Sequence, residues 1–279
     1  MPLISVIIPT CHRNDLLAKC LDCLAPGVQT LPPEQYEVIV TDDGSRTTAR
    51  QLVQDSYPWA HWTEGPRRGP AANRNNGAGK AQGEWLAFTD DDCLPDAGWL
   101  SALAAAMNGE ALALEGVIHP LGDMNQDLAE CPVNLTGGYF WSANIAIQCS
   151  LFQQIEGFDP DYRFAAHEDQ DIKIRLEGLT NITFAPEAIV LHPVRVVSLR
   201  SFITTLRRRC AAWAFHVNKH WKKLGYTDNL QFCVSQYRFH GRLFVINLFR
   251  LRFGTLIQSL IMLSVGIPLI MQDMKSHNE

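Results

Sequence analysis

The apolar run Trp85-Leu86-Ala87-Phe88-Thr89 ends in three consecutive carboxylates, Asp90, Asp91 and Asp92. A run that apolar reads as a strand buried on both faces, the mark of a parallel sheet covered by helices. Its end must reach water, and three adjacent acids there repel one another. Hard divalent cations such as Mg²⁺ and Mn²⁺ relieve such repulsion, because they take oxygen ligands. Ligands of open α/β sheets also bind beyond the carboxyl ends of the strands. Taken alone, the triplet fits a solvated acidic loop equally well, so the surrounding pattern decides.

That pattern alternates strand and helix. Leu3 to Ile8 is a β-branched run that Pro9-Thr10 ends, and a helical pattern begins near Asn14. Glu37 to Thr41 is a second strand, closed by Asp42-Asp43-Gly44-Ser45, and a helix follows from about Thr47 to Asp55. Trp59 to Trp62 reads as a short third strand and Gly69 to Lys80 as a glycine-bounded helix. Glu84 to Thr89 is the next strand, and Trp99 to Met107 is helical. This order implies an α/β fold, a mostly parallel sheet flanked by helices. Ala111 to Ile118 continues it as a strand, and residues 119–138 read as loop. Tyr139 to Ile147 reads as extended, and Asp169 to Gly178 as a short helix. Ile182 to Phe184 and Ala188 to Leu191 read as closing strands.

Charge divides the chain near Pro193. Residues 1–194 carry 26 acids and 11 bases, whereas residues 195–252 carry 12 bases against one acid, Asp228. Opposite signs imply two jobs. We therefore expect a domain over 1–194 and a basic, apolar, helical C-terminal region over 195–279. The cysteines show no framework spacing. Cys20 and Cys23 share a helical face with Leu17, Leu21 and Leu24, and no second pair follows at ligand spacing, so they read as buried side chains. Met1-Pro2-Leu3 leads into a strand without the basic and apolar regions of a signal peptide. The expectation is a reducing, cytoplasmic compartment.

Four strand ends offer polar groups: Thr10 to Arg13, Asp42-Asp43, Asp90 to Asp92, and His192. Parallel neighbours would bring them to one rim. His167-Glu168-Asp169 opens the helix at 169, where acids are favoured by the helix dipole, so a plain cap also explains them. The ordered set is SVIIPT (Ser5 to Thr10) with Arg13, EVIVTDDGS (Glu37 to Ser45), GPAANRNNG (Gly69 to Gly77), FTDDD (Phe88 to Asp92), GFD (Gly157 to Asp159), HED (His167 to Asp169) and the histidine of LHP (Leu191 to Pro193). It resembles the family 2 glycosyltransferases of GT-A fold and covers most of residues 3–193.

The resemblance implies a Rossmann-like GT-A domain. It implies an inverting, metal-dependent transfer of one sugar from a nucleotide-diphosphate sugar to an acceptor hydroxyl. The acceptor class would be a glycan or lipid-linked molecule of cell-surface polysaccharide or glycolipid synthesis. Pro9, Thr10 and Arg13 would line the nucleotide pocket, and Asp43 would accept from the base. Arg74 would approach the diphosphate, and Asp90 and Asp91 would touch ribose and donor sugar. Asp92 and His192 match metal ligands for Mn²⁺ or Mg²⁺. Asp169 would be the general base, with Glu168 holding position or contacting the acceptor. Asn144 matches a position near donor and acceptor, but Gln148 and Cys149 stand where the family often has a basic residue. Arg207 to Trp213 does not match the QxxRW motif of processive members.

In the basic region, arginines and lysines interleave with Phe202, Trp213, Phe215, Trp221, Phe239, Phe244 and Phe249. Such a mixture marks nucleic-acid surfaces and helices lying on anionic membrane. Phe253 to Met271 follows without a formal charge. It is about the length of a bilayer core, yet Gln258, two glycines and Pro268 make it a poor span. Basic leading into apolar favours a peripheral site on the cytoplasmic membrane face, with no nucleic-acid partner expected. His216 and His220 read as interfacial or surface side chains. Two other readings stay open: a nucleotidyltransferase on a related sheet, and a membrane-docked scaffold with a degenerate site. The glycine-free Pro9 to Arg13 speaks against the first.

Overall fold

A computed structural model describes residues 2–107, 109–226 and 228–275. The chain divides into two compact units, one of residues 1–122 and 132–193, the other of residues 123–131 and 194–279.

The first unit is built on an eight-stranded sheet. In chain order its elements are β1 (Ile4–Thr10), α1 (Asn14–Leu24), β2 (Tyr36–Asp42), α2 (Arg50–Ser56), β3 (His61–Glu64), α3 (Pro70–Ala78), β4 (Trp85–Phe88), β5 (Leu94–Pro95), α4 (Trp99–Ala106) and β6 (Ala113–Leu121). A short strand of the second unit, β7 (Ala129–Glu130), comes next. The first unit resumes with β8 (Ile145–Gln148), α5 (Cys149–Gln154), α6 (Glu168–Leu176) and β9 (Ile182–Pro193). The sheet order is β3-β2-β1-β4-β8-β6-β9-β5. Strands β3, β2, β1 and β4 are parallel, and so is β6 with β9. Strands β8 and β5 run against their neighbours.

Burial explains the elements. All seven residues of β1 are buried, as a strand covered on both faces requires. Helix α1 turns Leu17, Cys20, Leu21 and Leu24 into the core at helical spacing. Each leucine so buried contributes about 1.5–3 kcal/mol relative to exposure. Helix α3 lies close on the sheet, because a Cβ on Gly77 would sit 2.7 Å from Ile7 Cγ2. That closeness brings the start of α3 to the rim where β1, β2 and β4 end.

Several expectations change. The closing strands are one strand, β9, with a register irregularity against Gly116 and Val117. The expected loop over 119–138 holds the end of β6 and all of β7, because pairing partners for them lie far along the chain. Of the extended run expected from Tyr139 to Ile147, only β8 pairs; residues 141–144 form no strand.

The second unit contains β7, β10 (Arg195–Val196), α7 (Leu199–His220), α8 (Asn229–Phe249), α9 (Phe253–Ile261) and α10 (Ile267–Lys275). A π-turn, Met262–Gly266, joins the last two into one helix. Ser198 caps α7 through the amide of Ser201, and Asp228 caps α8 through that of Gln231. Asp127 accepts from Gly254 and Thr255 at the start of α9. Phe202, Leu206, Cys210, Ala214 and Val217 form the buried stripe of α7, against Phe232, Ile270 and Met274. His216 and His220 are buried here, not at the surface, beside Trp213, whose ring stacks on His216 at 5.8 Å. Phe253–Met274 is long and apolar enough to cross a membrane by length and composition, and 22% of it is buried. The corner between α8 and α9 exposes Leu248, Phe249 (83%), Leu251 (72%) and Phe253.

Candidate active site

Thr10, Asp42-Asp43 and Asp90 to Asp92 stand at the ends of three adjacent parallel strands. Asp92 faces His192 near the end of β9, with Nε2 3.7 Å from Oδ1. The expected rim is therefore assembled, but its charges are partnered in ways the sequence pattern did not reveal.

Five carboxylates, Asp90, Asp91, Asp92, Glu168 and Asp169, meet two arginines. Arg74, nearly fully buried, binds Asp90 Oδ1 at 2.8 Å and Glu168 Oε1 at 2.9 Å, and its guanidinium lies 5.6 Å from the centre of the Phe158 ring. Arg74 thus bridges two acids of the site, while its Nε–H has no hydrogen-bond partner among the described residues. Arg13 pairs with Asp91 and Asp92, the latter at 3.2 Å. Thr10 Oγ1 donates to Asp91 Oδ2 at 2.7 Å. Thr10 and Arg13 therefore hold Asp91 and Asp92 in place. Pro9 lies buried in β1 opposite Thr41 of β2.

Asp42 and Asp43 divide their work. Asp42 is buried and turns the chain, accepting from the amides of Gly44 and Ala49 and from the Trp62 indole. Asp43 is half-buried, and its carboxylate takes the amides of Arg67 and Gly69. Burial pushes the Asp43 carboxyl above its ordinary value despite those amides. Gly69 needs its φ of +97° and its missing side chain there, since a Cβ would strike the Arg163 carbonyl.

Asp169 sits in the first turn of α6, buried, with its Oδ2 3.4 Å from the Ser142 amide. Burial and the adjacent Glu168 push its carboxyl up to about 7. Burial raises Glu168 as well, against the pull of Arg74. Burial also works to raise Asp90, but the Arg74 guanidinium overrides it and holds that carboxyl low. Asp91 rises to about 7 because burial outweighs its Arg13 contact.

Asn144, expected near donor and acceptor, is held within the fold. It is 1% exposed, its Oδ1 accepts from Trp99 Nε1, and its Nδ2 donates to the carbonyls of Val117 and Ala188. It ties β6, β9 and α4 together behind the site.

Asp90, Asp92, Cys93 and His192 bring ligand atoms within 4.8 Å of one another. His192 Nδ1 lies 3.0 Å from the Pro193 carbonyl, and its Nε2 lies 3.7 Å from Asp92 Oδ1. An imidazole nitrogen and carboxylate oxygens gathered at one point are a donor set that suits a cation. Burial pushes the Cys93 thiol well up, so it stays protonated and the oxygen and imidazole donors make the set. Such donors fit Mn²⁺ or Mg²⁺.

The sequence reading missed Glu115. A lone acid inside the buried strand β6 was its signal, since a buried charge must find partners. Glu115 accepts from the amides of Gly138, Tyr139 and Phe140 and from Asn134 Nδ2. It pins the segment that passes Asp169.

Residues 5–129 match the family described as Glycosyl transferase family 2. The chain is 27% identical over 210 residues to Glycosyltransferase AglE of Haloferax volcanii, spanning 70% of this chain and 68% of that one. It is 34% identical over 128 residues to the GalNAc(5)-diNAcBac-PP-undecaprenol beta-1,3-glucosyltransferase of Campylobacter jejuni, spanning 44% of this chain and 38% of that relative. The structure of the mannosyltransferase PcManGT from Pyrobaculum calidifontis, in complex with GDP-Man and Mn²⁺, superposes with a TM-score of 0.57 at 19% identity. That superposition covers 99% of this chain and 73% of the other, and shows the same fold.

Proposed function

The chain belongs to glycosyl transferase family 2, and from that premise we propose that it moves one sugar from a nucleoside diphosphate sugar to an acceptor hydroxyl, with inversion. The observation that carries this reading is the chain of contacts from donor side to acceptor side. Asp169 adjoins Glu168, Glu168 binds Arg74, and Arg74 binds Asp90 of the acid rim.

Asp169 takes the proton of the acceptor hydroxyl as its oxygen attacks the anomeric carbon. The bond from that carbon to the diphosphate oxygen breaks on the opposite face, and the nucleoside diphosphate leaves. A carboxyl near 7 is matched to this work at neutral pH. Glu168 and Arg74 hold the base and Asp90 in place. Asp90 and Asp91 face the donor, with Asp43 and Thr10 at its nucleotide end. Asp92 and His192 would hold a divalent cation, which supplies Lewis-acid stabilisation of the leaving diphosphate when bound.

The acceptor is a glycan or a lipid-linked molecule, a reading supported by the Campylobacter relative, whose name carries PP-undecaprenol. The second unit docks on the cytoplasmic face of an anionic membrane through its exposed apolar corner and the exposed Arg238, Arg242 and Arg250. Asp92, Asp169 and His192 are all present and buried, which argues against a degenerate scaffold.

The test is binding of uridine, guanosine and thymidine diphosphate sugars, with and without Mn²⁺, by wild type and Asp92→Asn. Cation-dependent binding by wild type alone is expected. Equal binding by both proteins would remove Asp92 from the metal site, and no binding of any donor would remove the glycosyl-transfer reading.

A further inference from the structure

The segment that carries Tyr139 and Trp141 is held with unusual rigidity. Gly137 and Gly138 have φ of +81° and +94°, and Phe140 has φ of +54° with its side chain fully buried. A bulky residue at positive φ is a true outlier, and such strain persists only where surroundings enforce it. Glu115 enforces it from below by taking three consecutive amides. From the side, α6 enforces it: Gln170 Nε2 donates to the Tyr139 carbonyl at 2.7 Å and Lys173 Nζ to that of Gly138 at 2.6 Å. The Ser142 amide then reaches Asp169 itself.

The result is a fixed aromatic surface beside the base. With Phe140 turned inward, Tyr139 and Trp141 stack on each other, ring centres 5.9 Å apart and planes at 16°. Tyr139 remains 48% exposed. An exposed ring on a rigid strap, stitched to the helix of the catalytic base, is placed to meet whatever brings the acceptor hydroxyl.

We propose that Tyr139, backed by Trp141, is the platform for the acceptor, and that the reacting acceptor residue is a pyranose ring lying with one C–H face on the tyrosine. The electron-rich aromatic face attracts polarised C–H groups, and a pyranose offers several on one side. An open-chain polyol or a bare lipid phosphate offers no such face. The proposal rests on Asp169 as the base. It adds the acceptor class and the residue that selects it.

Saturation-transfer NMR on the full chain tests this, with Mg²⁺ and each of uridine, guanosine and thymidine diphosphate. The probes are methyl β-glucopyranoside, methyl β-galactopyranoside and methyl N-acetyl-β-glucosaminide, with ribitol as the open-chain control. At least one pyranoside should saturate, most strongly at the axial hydrogens of one face, and ribitol should not. Tyr139→Ala should cut that signal about fivefold or more, whereas Tyr139→Phe keeps it. Nucleotide saturation should be equal in all three proteins. Unchanged pyranoside saturation in Tyr139→Ala, saturation by ribitol as strong as by the sugars, or silence from all pyranosides while nucleotide binds would each overturn the platform. Silence from every nucleotide as well would overturn the glycosyl-transfer reading beneath it.

Discussion

Asp169 and Asn144 are both buried beside the same segment, yet they answer to different demands. Asp169 is ionisable, with its carboxyl pushed up to about 7; Asn144 is neutral and saturated with partners. Replacing Asp169 with Asn should lower kcat by about 10²–10⁴-fold, the usual worth of a positioned base. In wild type, the rate should rise as pH passes about 7, because only the ionised carboxylate accepts a proton. Stability moves the other way. A folded value above the unfolded one makes its stabilising share complete below about pH 4 and lost as pH rises through about 7. The melting-temperature gain of Asp169→Asn should thus be larger at pH 8 than at pH 5. Asn144→Ala should instead cost about 2–4 kcal/mol in denaturant titration, since it strands the Trp99 indole and two carbonyls, and leave donor affinity intact. Residue types at strand ends were legible in the sequence because β1, β2 and β4 are apolar runs with abrupt polar ends. Their partners were not legible. Arg74 and Glu168 lie 94 residues apart, and no local pattern says that one neutralises the other.

At the scale of elements, periodicity served where one face is buried and failed where the chain is pinned by a distant group. Helix α1 follows its leucines and cysteines, and β6 continues beyond its apolar start because β9 runs beside it to Pro193. The segment 137–144 carries apolar residues like a strand, but Glu115 claims the amides of Gly138, Tyr139 and Phe140, while Asn134, Asp169 and the Trp141 carbonyl take those of Gly137, Ser142 and Asn144. The α8–α9 corner is the opposite case, since apolar residues there point to solvent. Leu251 adopts φ of +55° in the tight turn, and Phe249, Leu251 and Phe253 project from it beside Arg250. Single changes Phe249→Asp and Leu251→Asp should each weaken binding to vesicles containing phosphatidylserine by about tenfold or more in a sedimentation assay. Melting temperature should stay within a degree or so, because neither side chain packs in a core. Retained vesicle binding in both variants would rule out this corner as the docking surface.

For the whole molecule, the division into units does not follow the order of the chain. Residues 123–131 leave the first unit, pair through β7 with β10, and cap α9 through Asp127. Charge suggested a boundary near Pro193 in the sequence, but this excursion is acidic like residues 1–194 as a whole, with Asp123, Asp127 and Glu130 and no base. A fragment of residues 1–193 would therefore keep its sheet and lose every partner of β7 among the described residues. Limited Glu-specific proteolysis, followed by mass spectrometry, should cut the fragment after Glu130 and spare that bond in the full chain. Equal resistance of both would show that the excursion is held by the first unit.

Arg74 has two customers and one guanidinium. If Asp90 meets the donor as proposed, donor hydroxyls would loosen its hold on Arg74, and the arginine's positive charge would lean toward Glu168. Less negative potential then reaches Asp169, whose proton is released more readily. Linkage makes the effect mutual, so an ionised base also favours the donor. On the proposed function, the donor thereby raises the ionised share of the base before the acceptor arrives. Steady-state kinetics should show compulsory order, donor before acceptor, and Arg74→Lys should convert it to random addition.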